Sequence, residues 1–284
     1  METLTLHLMD TEIYVGVQFE QPTVWQPTVK QWFDYVALQW SRFNVCNELH
    51  RINTLAVDET IQITKPLYDC LQLAQQYHTY TNGLFSPYLK NQMEAHGYDR
   101  TFSDIALAFT TKNIPSIDAP ALRFIDDHRV KKVSDASVDL GGIAKGFAAS
   151  YAVQLIQSLG KTAYGIVDVG GDIEVWSHTE KVWQLGISNP DDSNTTLAVI
   201  PLKNGAVASS SKVKRSWDDG QKNHLLNGQT GNPYIGDILQ ITAVAKRAYL
   251  AEVAAKTSFF IDTPKAYFPQ IHRYIVTNDS HFWV

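Results

Sequence analysis

The sequence predicts an α+β fold, mainly antiparallel sheets with packed helices, formed as a single domain over residues 1–284. Three observations predict it. Strand-like runs follow one another through the second half, namely "TAYGIVDVG", "DIEVWS", "VWQLGIS", "TTLAVIPL" and "GAVASSS", separated by polar or glycine-containing turns. Helical periodicity occurs in its own blocks and does not alternate with each strand, which disfavours a doubly wound parallel sheet. At 44% hydrophobic content a 284-residue chain can bury a substantial core, and no repeat or low-complexity linker divides it.

Taken in order, Leu4 to Gln18 alternates like a pair of strands, and Val24 to Phe43 shows helical spacing in Val29, Phe33, Val36, Leu38 and Trp40. A second helix runs from Pro66, well placed in a first turn, through Leu67, Leu71 and Ala74 to Tyr77, and the turn Thr81-Asn82-Gly83 stops it. A loop with a short helix extends to Arg100. In "SVDLGGIAKGFAASYAVQLIQSLG", Ile143, Phe147, Tyr151, Leu155 and Leu159 recur every four residues, so the glycines precede a helix. After the strand-like runs come a further strand in "DILQITAVA", a helix from Arg247 to Ile261, and a last strand pair around "YIVT" and "HFWV".

The chain carries 24 basic and 29 acidic residues, a net charge of -5, without a basic run, which argues against general affinity for nucleic acid or an anionic membrane surface. The opening "METLTLHLMDTEIYVGV" lacks the basic and apolar regions of a signal peptide, and no segment reaches transmembrane length. The expectation is a cytoplasmic protein. Cys46 and Cys70 lie in unrelated contexts and form no ligand or redox pair, so both are expected to be reduced thiols.

A helix N-terminus offers unpaired N–H groups and partial positive charge, and glycines let an anion approach the backbone. Gly141-Gly142-Ile143-Ala144-Lys145-Gly146 nevertheless matches neither common phosphate-loop spacing. Phosphate binding and a tight turn into a core helix both remain open on spacing alone.

Four stretches, in order, resemble one family, the ApbE-like FAD:protein FMN transferases. "WSRFNVCNELHRIN" (Trp40 to Asn53) is similar to a family segment ending S-E-L-x-x-x-N, and "TNGLFSPYLKNQMEAHGYDRTF" to T-D-G-x-F-D-P with a following G-Y-D. The Gly141-Gly142 stretch with "VDVGGD" resembles D-L-G-G-I-A-K-G and V-N-x-G-G-D. "ASSSKVKRSWDDGQKNHLLNGQTGNPY" resembles a serine-rich turn followed by H-[IL]-[IL]-D-P-x-T-G, with the helix "RAYLAEVAAKTSFF" behind it. Met9-Asp10-Thr11 is a weaker likeness to M-G-T.

The resemblance implies a T-fold-related ApbE architecture, binding of FAD, and transfer of its FMN part to a Thr or Ser hydroxyl of an acceptor flavoprotein with release of AMP, assisted by magnesium. It implies that Asp139, Gly142 and Lys145 meet the FAD diphosphate, that Asp168, Gly170 and Gly171 form a second close approach, and that Ser209, Ser211 and Thr230 contact phosphate. Ser210 and His224 become catalytic candidates, the histidine as acceptor of the hydroxyl proton because its ordinary pKa lies near neutrality. Met9, Phe85 and Tyr98, with Tyr88 and Trp217, are expected to flank the rings of the cofactor.

The chain departs from the family where a metal is expected. The family pattern A-D-x-x-x-T reads here as Ala251, Glu252 and Lys256, so Glu252 and the Ala144 carbonyl are the metal-ligand candidates. Lys256 shares the Glu252 face, four residues on, and an ammonium there can neutralise a diphosphate oxygen itself. Ser86 and Asn227-Gly228 stand where Asp and Asp-Pro are usual, and Asp168 replaces an expected Asn. The missing metal carboxylates keep open an FAD-binding protein without transfer, and a metal-dependent FAD pyrophosphatase yielding FMN and AMP is a further alternative.

Overall fold

In the computed structural model, residues 1–99, 117, 120–217, 222–263 and 266–284 are described. Period-two burial in Thr11–Phe19 and the turn at Met9 and Asp10 build the opening hairpin of β1 (Glu2–Leu8) and β2 (Thr11–Phe19). There follow α1 (Gln26–Gln39), α2 (Glu48–Asn53), β3 (Thr60–Gln62), α3 (Lys65–Tyr80), α4 (Lys90–Ala95), β4 (Leu122–Ile125) and β5 (Arg129–Lys132). Then come α5 (Ala144–Leu159), β6 (Thr162–Val169), β7 (Asp172–Ser177), β8 (Trp183–Ser188), β9 (Thr196–Leu202) and β10 (Gly205–Ser211). The chain ends with β11 (Ser216–Trp217), β12 (Lys222–Asn223), β13 (Ile238–Ala245), α6 (Ala248–Thr257), a 3-10 turn (Ser258–Phe260), β14 (His272–Thr277) and β15 (His281–Trp283).

Two compact units result, each assembled from separate stretches of chain. The first comprises Met1–Ala37, Ala144–Val213 and Asp237–Val284. Its sheet has the order β1-β2-β6-β7-β10-β13-β14-β15, with every neighbouring pair antiparallel. Ile166, Val175 and Val207 pack with Leu185, Ile187 and Ile200 of the β8–β9 hairpin on one face. Because side chains alternate, Asp172 and Glu174 of β7 leave the sheet on the opposite face, where α5 and α6 pack. That alternation delivers two carboxylates to the helices.

The four-residue stripe expected on α5 does not stay buried. Steps of four residues advance about 40° around a helix, so the stripe winds outward and Leu159 is exposed. The buried face instead carries small residues, Gly146, Ala148, Ala149 and Ala152 with Val153 and Ile156. Leu38 of α1 is likewise exposed, while Val29, Phe33 and Val36 are buried as the spacing predicts.

The second unit, Leu38–Ile143 with Lys214–Gly236, contains the sheet β3-β5-β4 and packs Leu49, Ile52, Leu67, Leu71, Leu122, Val130 and Val138 in its core. Asn53 fixes the strand-like segment before Asp139. It donates to the Val138 carbonyl at 3.0 Å and accepts the Val138 N–H at 2.6 Å. No helix among the described residues is long and apolar enough to cross a membrane.

Candidate functional site

A cluster of four charges lies on the helix-covered face of the first unit. Lys145, in the first turn of α5, places Nζ 2.5 Å from Asp172 Oδ2 and 3.5 Å from Glu252 Oε1. Lys256, one helical turn beyond Glu252 on α6, reaches back to the same Oε1 at 2.7 Å. The carboxylates are almost wholly buried, with side chains 3% and 1% exposed, whereas the lysines retain 23% and 17%. The ammoniums therefore form the solvent side of the cluster.

Glu252 also caps α5. Ile143, the residue before that helix, has no side-chain acceptor, and the first-turn N–H of Gly146 donates to Glu252 Oε2 at 2.9 Å. The contact exists because α5 and α6 approach closely at Gly146, where a Cβ would stand 2.7 Å from backbone atoms of Tyr249. Beside it, Glu174 accepts from Ser150 Oγ at 2.5 Å and from the Ala248 N–H at 3.0 Å, and pairs with Arg247 at 3.2 Å. Glu174 thus satisfies the start of α6.

Burial pushes the Asp172 carboxyl up to about 6, reinforced by the neighbouring Glu252 charge and opposed by Lys145 and Lys256. For Glu252 burial acts upward too, but the two ammoniums and the Gly146 N–H outweigh it and bring the carboxyl below its ordinary range. Asp168 is raised by burial, partly offset by its bond from the Gly171 N–H.

Magnesium asks for carboxylate oxygens free to enter its shell. Here Glu252 Oε1 carries two ammoniums, Oε2 carries a backbone N–H, and Asp172 Oδ2 carries Lys145. Thr257, next along α6, turns its hydroxyl back to the Val253 and Ala254 carbonyls. Among the described residues no group of three or more His, Cys, Asp or Glu is arranged to hold a metal ion. The donor set does not fit a divalent cation. Ala144, the other ligand candidate, is the first residue of α5.

Other residues singled out in the sequence also fall in this unit. Gly170 and Gly171, both with positive φ, form the β6–β7 turn, which Asp168 Oδ1 closes by accepting the Gly171 N–H at 2.8 Å. Asp168 pairs across the sheet with Ile173, placing it on the face opposite to Asp172. Met9 is half-buried with φ 56° in the β1–β2 turn. Ser209, Ser210 and Ser211 lie inside β10, paired with Thr242, Ile241 and Gln240, and not in a turn as the motif suggests. The Ser209 hydroxyl bonds Thr242 at 2.7 Å, while Ser210 and Ser211 are buried.

The remaining candidates belong to the second unit. Asp139 accepts the Gly141 N–H at 2.7 Å through one oxygen and pairs with Arg42 through the other. Gly142, two residues before α5, is half-buried. The Arg42 guanidinium stacks 4.2 Å from the Tyr98 ring and 4.6 Å from the Phe43 ring. Sequence reasoning missed Arg42, whose only signal is its place in the "SRF" stretch. Phe85 and Tyr88 are buried, and burial raises the Tyr88 hydroxyl well above its usual range. Trp217 is buried and donates to the His96 carbonyl at 3.0 Å.

His224 is half-buried, its Nδ1 3.4 Å from the Arg215 carbonyl. A carbonyl only accepts, so Nδ1 is the donor in this contact. Thr230 is exposed in a turn organised by Asn227, whose Oδ1 accepts from Gln229 at 2.8 Å and Thr230 at 3.2 Å. An amide oxygen does there what a carboxylate would. Gly228 donates its N–H to the Leu84 carbonyl at 3.0 Å, a bond that a proline cannot make. Ser86 is buried and accepts the Tyr88 N–H at 3.2 Å. Parts of two motif stretches, residues 100–102 and 218–221, lie outside the described residues.

Comparison with known proteins bears on the family and the fold. The family model described as "ApbE family" matches residues 9–269. An FAD:protein FMN transferase of Chlamydia muridarum is 27% identical over 240 residues, covering 81% of this chain and 72% of that protein. One from Escherichia coli K12 is 27% identical over 127 residues, 43% of this chain and 36% of its own length. Among solved structures, the ApbE protein of Thermotoga maritima superposes with a TM-score of 0.85 at 23% identity, covering 99% of this chain and 96% of that one. The flavin transferase ApbE of Vibrio cholerae gives 0.79 at 19% identity, with 100% and 96% covered. The mixed helical and antiparallel architecture is therefore that of ApbE proteins, and with nearly all of its length matched, the chain belongs to the ApbE family.

Proposed function

We propose that the chain is an FAD:protein FMN transferase, with residues 1–284 acting as one functional domain. The supporting observation is the pair of partly exposed ammoniums, Lys145 and Lys256, held over two buried carboxylates at the start of α5. Such a pair suits a diphosphate, and phosphoryl transfer needs positioning and charge neutralisation more than covalent chemistry. Lys145 and Lys256 bind the diphosphate of FAD, and Asp172 and Glu252 hold the lysines in place. The family resemblance adds Asp139, Gly142, Asp168, Gly170, Gly171, Ser209, Ser210, Ser211 and Thr230 as candidates for cofactor contact, and Met9, Phe85 and Tyr98 as candidates for its rings. Nε2 of His224 takes the proton of the acceptor hydroxyl as that oxygen bonds to the FMN phosphorus, the phosphorus–oxygen–phosphorus bridge breaks, and AMP leaves.

The test is incubation with FAD and a protein carrying a D-x-[ST]-[AGS]-T-like acceptor, following fluorescence of the acceptor band and release of AMP. A fluorescent acceptor with equimolar AMP is expected. AMP with free FMN and no labelled protein makes the chain a pyrophosphatase, and retained FAD with neither product makes it a binding protein.

A further inference from the structure

Resting on the transferase reading above, we propose that Lys256 takes the place of a divalent cation: its ammonium, seated on Glu252, supplies the positive charge to the ligand's diphosphate and keeps a metal ion out. Two ammoniums and two carboxylates sum to zero, so the buried acids are already neutralised by the chain. A divalent ion would have to displace an ammonium from Glu252 Oε1 or add two charges beside two lysines in a partly desolvated site.

The local structure holds Lys256 where this requires. Glu252 and Lys256 are four residues apart with the acid N-terminal, the favourable order on a helix, and the lysine occupies the last turn of α6, where the helix dipole attracts a cation. Lys145 comes from a different helix to the same oxygen, so the two nitrogens are neighbours able to grip both phosphates of one diphosphate. The Gly146 N–H is occupied by Glu252, which leaves the lysines as the principal cationic donors of the cluster.

Calorimetric titration of the full-length protein with FAD, in EDTA and in millimolar magnesium, reads this directly and needs no variant. The dissociation constant is expected to agree between the two buffers. Lys256→Thr is expected to weaken binding in EDTA by about tenfold or more, with partial recovery in magnesium, and Lys256→Arg, which keeps the charge, to lose less than Lys256→Thr in EDTA. A tenfold or greater loss for the native protein in EDTA overturns the proposal, as does Lys256→Thr binding FAD normally in EDTA. Uptake of stoichiometric Mn²⁺ by the native protein, seen by electron paramagnetic resonance, overturns it whether or not FAD binds. Exclusion of Mn²⁺ by the native protein, its uptake by Lys256→Thr, and no FAD binding in either buffer would instead sink the transferase reading while upholding the exclusion of metal by Lys256.

Discussion

Substituting Gly146 by alanine sets two physical effects against each other. In an exposed helix, Gly→Ala stabilises by about 1 kcal/mol through backbone entropy. Here the new methyl would stand 2.7 Å from the Tyr249 Cα and N and 2.8 Å from the Ala248 carbonyl carbon, well inside the roughly 3.5–4.0 Å of ordinary contact. Those atoms are backbone and cannot rotate aside, so α5 and α6 must separate by about 1 Å. Overpacking of this kind costs about 1–3 kcal/mol, and stretching the Gly146–Glu252 bond forfeits up to about 1.5–3 kcal/mol more. The balance is a loss of about 2–4 kcal/mol. For a chain of 284 residues that lowers Tm by about 3–7 °C. Thermal and urea denaturation followed by circular dichroism measure it, and FAD affinity should fall in parallel because Glu252 no longer holds the lysines in register. A variant as stable as the native protein, or more so, refutes the close packing of the two helices and with it the capping of α5 by Glu252.

Asp172 predicts a pH dependence. Its carboxyl stands at about 6 in the fold against an ordinary 3.8, so the folded state keeps a proton that the unfolded chain has lost, and this group's contribution to stability falls as pH rises through that window. The cost is absent below 3.8, complete above 6 and about 3 kcal/mol in size. Glu252, lowered in the fold, acts in the opposite direction, so the informative quantity is the stability difference between Asp172→Asn and the native protein, measured by urea denaturation at several pH values. That difference should move in favour of the variant from pH 4 to 7; a pH-independent difference contradicts the assignment. His224→Ala should lower the transfer rate about 10²–10⁴-fold with little change in FAD affinity, separated by single-turnover kinetics at saturating FAD. An affinity loss with an unchanged bound rate would make the histidine a binding group.

The features legible in the linear chain are local or cumulative. The start of α5 behind Gly141-Gly142, the hairpin turn at Gly170-Gly171 and the antiparallel succession of strands follow from periodicity and turn chemistry, which act between residues a few positions apart. The family was legible because several motifs recur in one order along the chain. The strands of β3-β5-β4 were not legible, since runs of three or four residues carry too little alternation to register. Which charges meet is an outcome of long-range packing. Lys145 finds Asp172 27 positions away, and the Gly146 N–H finds Glu252 106 positions away. Spacing within a segment could place Glu252 and Lys256 on one face, but not reveal that the face is buried or that its carboxylate caps another helix. Those outcomes depend on strand alternation in β7 and on the close approach of α5 to α6 at Gly146, and they arise only when distant segments exclude water together.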